Sequence, residues 1–497
     1  MAKGGAMVGR SLALMVLSLS FVPSLFAAEL SPATEECIDC HSSVTPGIVS
    51  SWRRSRHARI SPREALKGPE LSRRISARVV PEEMGGYAVG CAECHTLRAG
   101  EHRDTFEHNG YQVHAVVSPP DCAQCHPVEV EQYQGNLMAH AWRNLTQNPV
   151  YQMLMEAAGG LQVLIGDDIA QVGPDEMTRA DSCLSCHGTK ISVKGFGTRE
   201  TPFGEMIFPV LEGWPNGGPG RANPDGSEGS CTPCHHRHSF SIEEARKPHT
   251  CSTCHKGPDV PAYKVYTVSR HGTLYASSGK EWDFEAVPWV VGRDFEAPTC
   301  ATCHISLLVD PEGEVLVERT HRMADRLPWR IFGLIYAHPH PKDADTTLIH
   351  NSQGLSLPTD LTGEPSTEYL ISGDEQFERQ ERMERVCSGC HSREWIKGHF
   401  ARLERAIETT NELTLTATKL ILRAWEKGVV KGLDQESSPF DEALERKWVE
   451  SWLFYANSTR YASAMAGADY GVFARGRWYL GKTLREMKDW IEVKGRR

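Results

Sequence analysis

All sixteen cysteines of this 497-residue chain fall inside Cys-x-x-Cys-His units, and none is left over. The eight units open at Cys37, Cys91, Cys122, Cys183, Cys231, Cys251, Cys300 and Cys387. Their second cysteines are Cys40, Cys94, Cys125, Cys186, Cys234, Cys254, Cys303 and Cys390, and they close on His41, His95, His126, His187, His235, His255, His304 and His391. In such a unit the two thiols add across haem vinyl groups as thioethers, and the adjacent imidazole is placed to ligate the iron. Zinc ribbons and thioredoxin-like redox pairs also use Cys-x-x-Cys, but neither requires a histidine directly after every second cysteine. The reading is therefore eight covalently bound haem c groups.

That cofactor load limits what the core is made of. With about 62 residues to each motif, much of the interior must be porphyrin, and the polypeptide shares its buried apolar surface with haem faces. The formal charge of -10 excludes a nucleic-acid binder. At the start of the chain, Lys3 and Arg10 precede an apolar run from Ser11 to Phe26 that ends in Ala27 and Ala28. This pattern reads as a signal peptide over residues 1–28, and export suits cysteines destined for haem attachment. No later stretch is long and apolar enough to span a bilayer, so a soluble periplasmic protein is expected.

Motif density divides the remainder into a three-haem region (29–145), a five-haem core (146–392) and a haem-free tail (393–497). The motifs at Cys231 and Cys251 are the closest in sequence, which favours two haems packed near one another. Between Gly213 and Gly229, Pro and Gly are too frequent for any helix or strand, so an ordered loop is expected there; 339–365 is similarly loop-like. In the tail, Leu403, Ile407, Leu413, Leu415, Leu420, Leu422 and Trp425 are spaced for helical faces, which predicts two or three long helices. Alternating strand patterns are scarce. The fold class expected is mostly α, with long haem-wrapping loops.

Distal ligands decide what such a chain does. An iron that only moves electrons has both axial positions filled, whereas one that activates a small molecule keeps an exchangeable site. Fourteen of the 22 histidines lie outside the motifs, enough to cap every iron. The favoured distal candidates are His57, His108, His140, His238, His271 and His321. His338 and His340, between prolines in "AHPHP", divide between a solvated loop and a role at a pocket.

The chain resembles the octahaem hydroxylamine oxidoreductase family, which includes hydrazine dehydrogenases and reductive nitrite-converting members. The residues carrying the resemblance are "GWPNGGPGRANPDGSEGSCTPCHHRHSF" (213–240), "KPHTCSTCHKGPD" (247–259), "VSRHG", "THRMADRLPW" and "EHNG" before "VVSPPDCAQCH". The resemblance implies a homotrimer in which seven haems are bis-histidine and the fourth, on Cys183, Cys186 and His187, is catalytic. It implies an oxidoreductase related to hydroxylamine dehydrogenase, acting on small inorganic nitrogen compounds. Electrons would pass through the other haems to or from a soluble or membrane-attached c-type cytochrome. Some members cross-link the catalytic haem to a tyrosine from a neighbouring subunit; Tyr470 is the first match here and Tyr461 the second. The family's Asp-His pair after the sixth motif is Asp259 and Val260 in this chain. The acid remains as a proton relay, while the imidazole is lost. Hydroxylamine oxidation and nitrite or hydroxylamine reduction both stay open, as does a purely electron-transferring cytochrome with every iron capped.

Overall fold

The computed structural model describes residues 28–435 and 437–496; the leader reading falls almost wholly outside them. The chain is mostly α-helical. Short helices and ordered loops carry the motifs, and long helices close the C-terminus. Among the described residues no helix is long and apolar enough to cross a membrane.

Motif chemistry and helical geometry coincide. Cys91–His95, Cys183–His187 and Cys300–His304 are each a five-residue helical turn, and the first motif lies within the helix Pro32–Val44. On a helix, positions i, i+3 and i+4 share one face, so both thiols and the imidazole point the same way, as one porphyrin requires. Side-chain caps fix where the larger helices begin: Ser31 accepts from the Thr34 amide, Ser372 from Glu375 and Ser392 from Trp395. The last of these starts the tail helix one residue after the eighth motif closes.

The tail forms three long helical runs. Arg393–Glu426 is the first, and Arg477–Lys494 is the last. Between them, Ala443–Val449 continues through a π-helical stretch, Glu450–Ala456, into Asn457–Met465. The π stretch turns the following face relative to an ideal α-helix, a device often found near functional sites. Trp425, Trp448 and Trp452 from these helices pack against Tyr336, Leu357 and Leu361 and against Val150 and Ala157. Each such fully buried large side chain contributes roughly 1.5–3 kcal/mol. The largest apolar cluster thus ties the tail to the segment 334–361 and to the helix Pro149–Gly159.

Two antiparallel hairpins were not expected from the sequence: Leu161–Ile165 with Asp168–Val172, and Ser192–Thr201 with Gly204–Glu212. Their apolar residues sit on both faces, so the polar/apolar alternation that marks a half-buried strand is missing. Phe208 of the longer hairpin meets Phe106 and His108. The Pro/Gly-rich segment is an ordered loop, as anticipated. It seats its backbone against the fourth motif: a Cβ on Gly220 would lie 2.5 Å from the Ala141 nitrogen and 2.6 Å from the His187 carbonyl oxygen. Gly188, directly after the motif, has φ +99° and meets the same loop, a conformation that favours glycine.

Candidate active site

Three of the eight motif histidines are held by their Nδ1 atoms. His95 Nδ1 donates to the His114 carbonyl at 2.8 Å, His304 Nδ1 to the Met323 carbonyl at 3.2 Å, and His41 Nδ1 pairs with Thr45 Oγ1 at 2.9 Å. Anchoring one ring nitrogen fixes the tautomer and aims the other, Nε2, as metal-ligating histidines require.

Across from these rings stand other imidazoles. His41 faces His108 with centroids 6.1 Å apart, His126 faces His57 at 6.4 Å, His95 faces His238 at 6.5 Å, and His391 faces His271 at 6.0 Å. Two imidazoles sharing one iron, with metal–nitrogen bonds of about 2 Å each, place their centroids roughly 6 Å apart. The residues therefore fit haem ligation. His114 also lies 6.0 Å from His95, but its own carbonyl occupies His95 Nδ1, so it stands on the anchored side of that ring. His321 is half-buried within electrostatic reach of His235, which after desolvation helps press its pKa down to about 3.

Four of these motif histidines, His41, His95, His126 and His235, open into one continuous cavity of about 1790 Å³ together with His57, His108, His238 and His321. An ordinary small-molecule pocket holds roughly 300–1,000 Å³, so this volume suits several large cofactors. Arg56, Arg221, Arg237 and Arg319 line it. Burial depresses Arg221 to about 10, and its Nη2 finds a carbonyl, Val117, at 2.9 Å. Guanidinium groups lining a haem cavity, the buried Arg221 among them, match propionate carboxylates.

His140, a distal candidate on sequence grounds, is placed differently. Its Nδ1 lies 2.5 Å from Glu228 and its Nε2 2.8 Å from the Gln134 carbonyl, so both ring nitrogens are used within the protein. Burial raises the Glu228 carboxyl, yet His140 and Arg143 pull it down to about 2. His340, by contrast, is buried within reach of His304; the prolines around it hid that burial. His102 and His114 stack at 3.7 Å beside Asp104 and Asp121. Their planes are only 9° apart, and two parallel stacked rings cannot both point a nitrogen at one ion.

The fourth motif has a distinct environment. Burial lowers the His187 pKa, and the charges next felt by this ring are those of Asp259, which raises it, then His255 and Arg330. Asp259 also acts on Cys183 and Cys186. Arg330 lies directly opposite His338 in the antiparallel pairing of Trp329–Arg330 with His338–Pro339. His338 is buried, and its Nε2 has no hydrogen-bond partner. Tyr461 completes the group: burial pushes its phenol above tyrosine's ordinary range, Arg330 pulls it down and Asp259 pushes it up. Tyr470, the first tyrosine candidate, instead lies half-buried on the short helix Ala468–Val472. Sequence reasoning had singled out Asp259 here but missed Arg330 and left His338 undecided. The cross-strand pairing that joins those two is only two residues long.

Contacts between thiols order the motifs in space. Cys37 lies close to Cys91, Cys122 to Cys231, Cys251 to Cys300, and Cys186 to Cys254. Cys94 is within reach of Cys122, Cys234 of Cys251, and Cys303 of Cys387. The motifs thus run 1, 2, 3, 5, 6, 7, 8 in unbroken succession, and the fourth joins as a branch at the sixth. The expected proximity of the Cys231 and Cys251 units is part of this path.

The chain is similar to known multihaem proteins. Residues 226–323 match the family described as seven times multi-haem cytochrome CxxCH, and residues 121–206 match cytochrome c554 and c-prime. A solved structure named as a hypothetical multiheme protein is 40% identical, with a TM-score of 0.88, covering 94% of this chain and 96% of its own. A Kuenenia stuttgartiensis reducing HAO-like protein complex, Kustc0457/Kustc0458, shares the fold at 18% identity and a TM-score of 0.60, covering 93% of this chain and 85% of its own. A curated protein of the same organism, named as a probable nitrite reductase-hydroxylamine oxidoreductase fusion protein, is 26% identical over 379 residues, 72% of this chain. The chain spans only 34% of that relative's length.

Proposed function

The chain belongs to the multihaem c-type cytochromes, and on that premise we propose that it is an exported, periplasmic octahaem oxidoreductase acting on a small inorganic nitrogen compound at the fourth motif. The observation that carries the reading is the contrast between the histidine pairs at four other motifs and the groups around the fourth, where Asp259 and Arg330 act on both His187 and Tyr461 and His338 stands opposite Arg330. The names of the relatives support the same chemistry for those proteins.

Haem iron on Cys183, Cys186 and His187 would supply a redox-active site for a substrate nitrogen atom, and the remaining seven haems would carry its electrons. The chain's own groups do the rest. Asp259 holds or relays a proton at its carboxylate, a role the family shares with a histidine that this chain replaces by Val260. Arg330 offers a guanidinium to an anionic substrate. His338 presents a buried, unpartnered Nε2 next to Arg330, where it accepts a hydrogen bond or a proton. Arg330 favours an anion and His338 can take up a proton beside it, so the reductive direction, from nitrite, is preferred over oxidation. An electron-donating or electron-accepting c-type cytochrome is the expected partner, and a homotrimer the expected assembly.

The test is carried out on purified holoprotein. Carbon monoxide should bind one iron per chain, and reduced viologen should drive consumption of nitrite or hydroxylamine. Full low-spin saturation with no gas binding would make the chain an electron carrier instead. A red-shifted band in the dithionite-reduced spectrum would indicate a cross-linked catalytic haem and reverse the preferred direction.

A further inference from the structure

Arg460 is fully buried in the structure, and no carboxylate stands among its hydrogen-bond acceptors. Burial presses its pKa down to about 9. A buried guanidinium is costly to keep and is replaceable by apolar side chains where stability alone matters. What it touches gives a reason for its presence. Nε donates to Thr410 Oγ1 at 2.9 Å, Nη1 to the Asn457 side-chain oxygen at 3.2 Å and the Ile331 carbonyl at 3.3 Å, and Nη2 to the Asn411 side-chain oxygen at 2.7 Å.

Each of three arms ends on a segment of the fourth-motif pocket. Asn457 Nδ2 donates to the Asp259 carbonyl at 3.1 Å. Ile331 is the neighbour of Arg330. Asn411 holds both backbone groups of Ala337, accepting from its amide at 3.1 Å and donating to its carbonyl at 3.0 Å, and His338 follows directly. Asn457, Arg460 and Tyr461 occupy positions i, i+3 and i+4 of one helix, so they share a face. That face follows the π-helical stretch Glu450–Ala456. Thr410 and Asn411 come from the helix Arg393–Glu426.

We infer that Arg460 is the positioning residue of the pocket: through Asn457, Ile331 and Asn411 it fixes at once the backbone segments that carry Asp259, Arg330 and His338. Only a planar fork with five donors reaches acceptors on three separate segments; a lysine ammonium, with a single nitrogen, cannot span them. Arg460 thereby acts on the chemistry of the fourth motif from the haem-free tail through other residues. The inference rests on the reading of that motif as the reacting site.

The experiment compares wild-type holoprotein with Arg460→Gln, Arg460→Lys, Asn457→Leu and Asn411→Leu. Haem content reports loading, carbon monoxide stoichiometry reports the open iron, and the infrared stretch of the bound gas reports the polar groups around it. Viologen-linked turnover supplies kcat and KM. Arg460→Gln is expected to keep all its haem and the one gas-binding iron, to shift and broaden the carbon monoxide stretch, and to lower kcat at least tenfold with little change in KM. Arg460→Lys should recover only part of this. Asn457→Leu and Asn411→Leu should each give an intermediate loss, and they decide the case if Arg460→Gln fails to load haem. An unchanged stretch and unchanged kcat in these variants overturn the inference, as does haem loss in all four, which would make the network a folding element. A wild-type protein that binds no carbon monoxide defeats the underlying reading instead.

Discussion

Arg330 and His338 are direct partners across a two-residue antiparallel pairing, which puts their side chains on the same face. His338 Nδ1 donates to the Pro339 carbonyl at 2.6 Å, leaving Nε2 as a bare acceptor. Burial first, and Arg330 second, press its pKa down to about 3, so the ring is neutral at pH 7. An anion bound beside Arg330 would offset that cation and raise the imidazole's proton affinity, coupling substrate binding to proton uptake.

The first prediction follows from that pair. His338→Asn retains a polar side chain of smaller reach, so fold and haem content should be kept. Turnover with nitrite is expected to fall about a hundredfold or more, the usual scale for losing a positioned acid or base. Equal kcat values for wild type and variant at pH 6 and pH 8 would remove His338 from the reaction.

A second prediction concerns the histidine pairs. His108 is 6.1 Å from His41 and His271 is 6.0 Å from His391, the spacing of two ligands on one iron. Replacing either His108 or His271 by alanine should expose one more iron, raising carbon monoxide binding from one to two per chain. His140→Ala should leave the stoichiometry unchanged, because both its ring nitrogens are engaged by Glu228 and Gln134. A gain of a gas site in His140→Ala would reassign it as a ligand.

A third prediction tests the count. With every cysteine consumed in a motif, the intact mass of the purified chain should exceed that of its polypeptide by roughly 5 kDa, the contribution of eight thioether-linked haems. Cys37→Ser with Cys40→Ser should subtract one haem's share. A smaller excess in the wild type would mean that some motifs stay empty.

Sequence reading reached the haem motifs and the helical tail because both depend on local spacing: Cys-x-x-Cys-His is contiguous, and Leu403, Ile407, Trp425 and their neighbours repeat at helical period. It named Asp259 by likeness to a family. It did not reach Arg330, and it left His338 between solvent and pocket, because "AHPHP" looks like an exposed loop unless one knows that Asn411, more than seventy positions later, anchors Ala337 from a tail helix. The surroundings of His140 are out of local reach for the complementary reason: its partner Glu228 lies 88 residues away. The hairpin Leu161–Val172 escaped because both its faces carry apolar side chains, among them Leu164 and Ile165. Local pattern fixes elements; long-range pairings assign the polar side chains inside them.

A last prediction addresses stability and pH through Glu445, a fully buried acid in the tail. Its Oε1 accepts from Trp425 Nε1 at 2.8 Å and its Oε2 from the Glu442 amide at 3.0 Å. Burial pushes its carboxyl up, these two donors pull it down, and Asp441 adds to the rise, with a net value of about 8 against an ordinary 4.5. Below pH 4.5 folded and unfolded chains both hold the proton, and the group's stabilisation is fully present. As pH climbs from 4.5 to 8 the unfolded chain releases a proton that the folded one keeps, so stability declines across that window and levels off above it. Glu445→Gln cannot titrate. It lacks the second oxygen and should cost about 1 kcal/mol at pH 4.5 through the lost helix-capping bond. The difference should then shrink as pH rises and change sign by about pH 8. Thermal midpoints from far-ultraviolet circular dichroism at pH 5 and pH 8 measure it. Parallel pH slopes in the two proteins would show that Glu445 is ionised in the folded chain and that Trp425 and the Glu442 amide suffice to hold its charge.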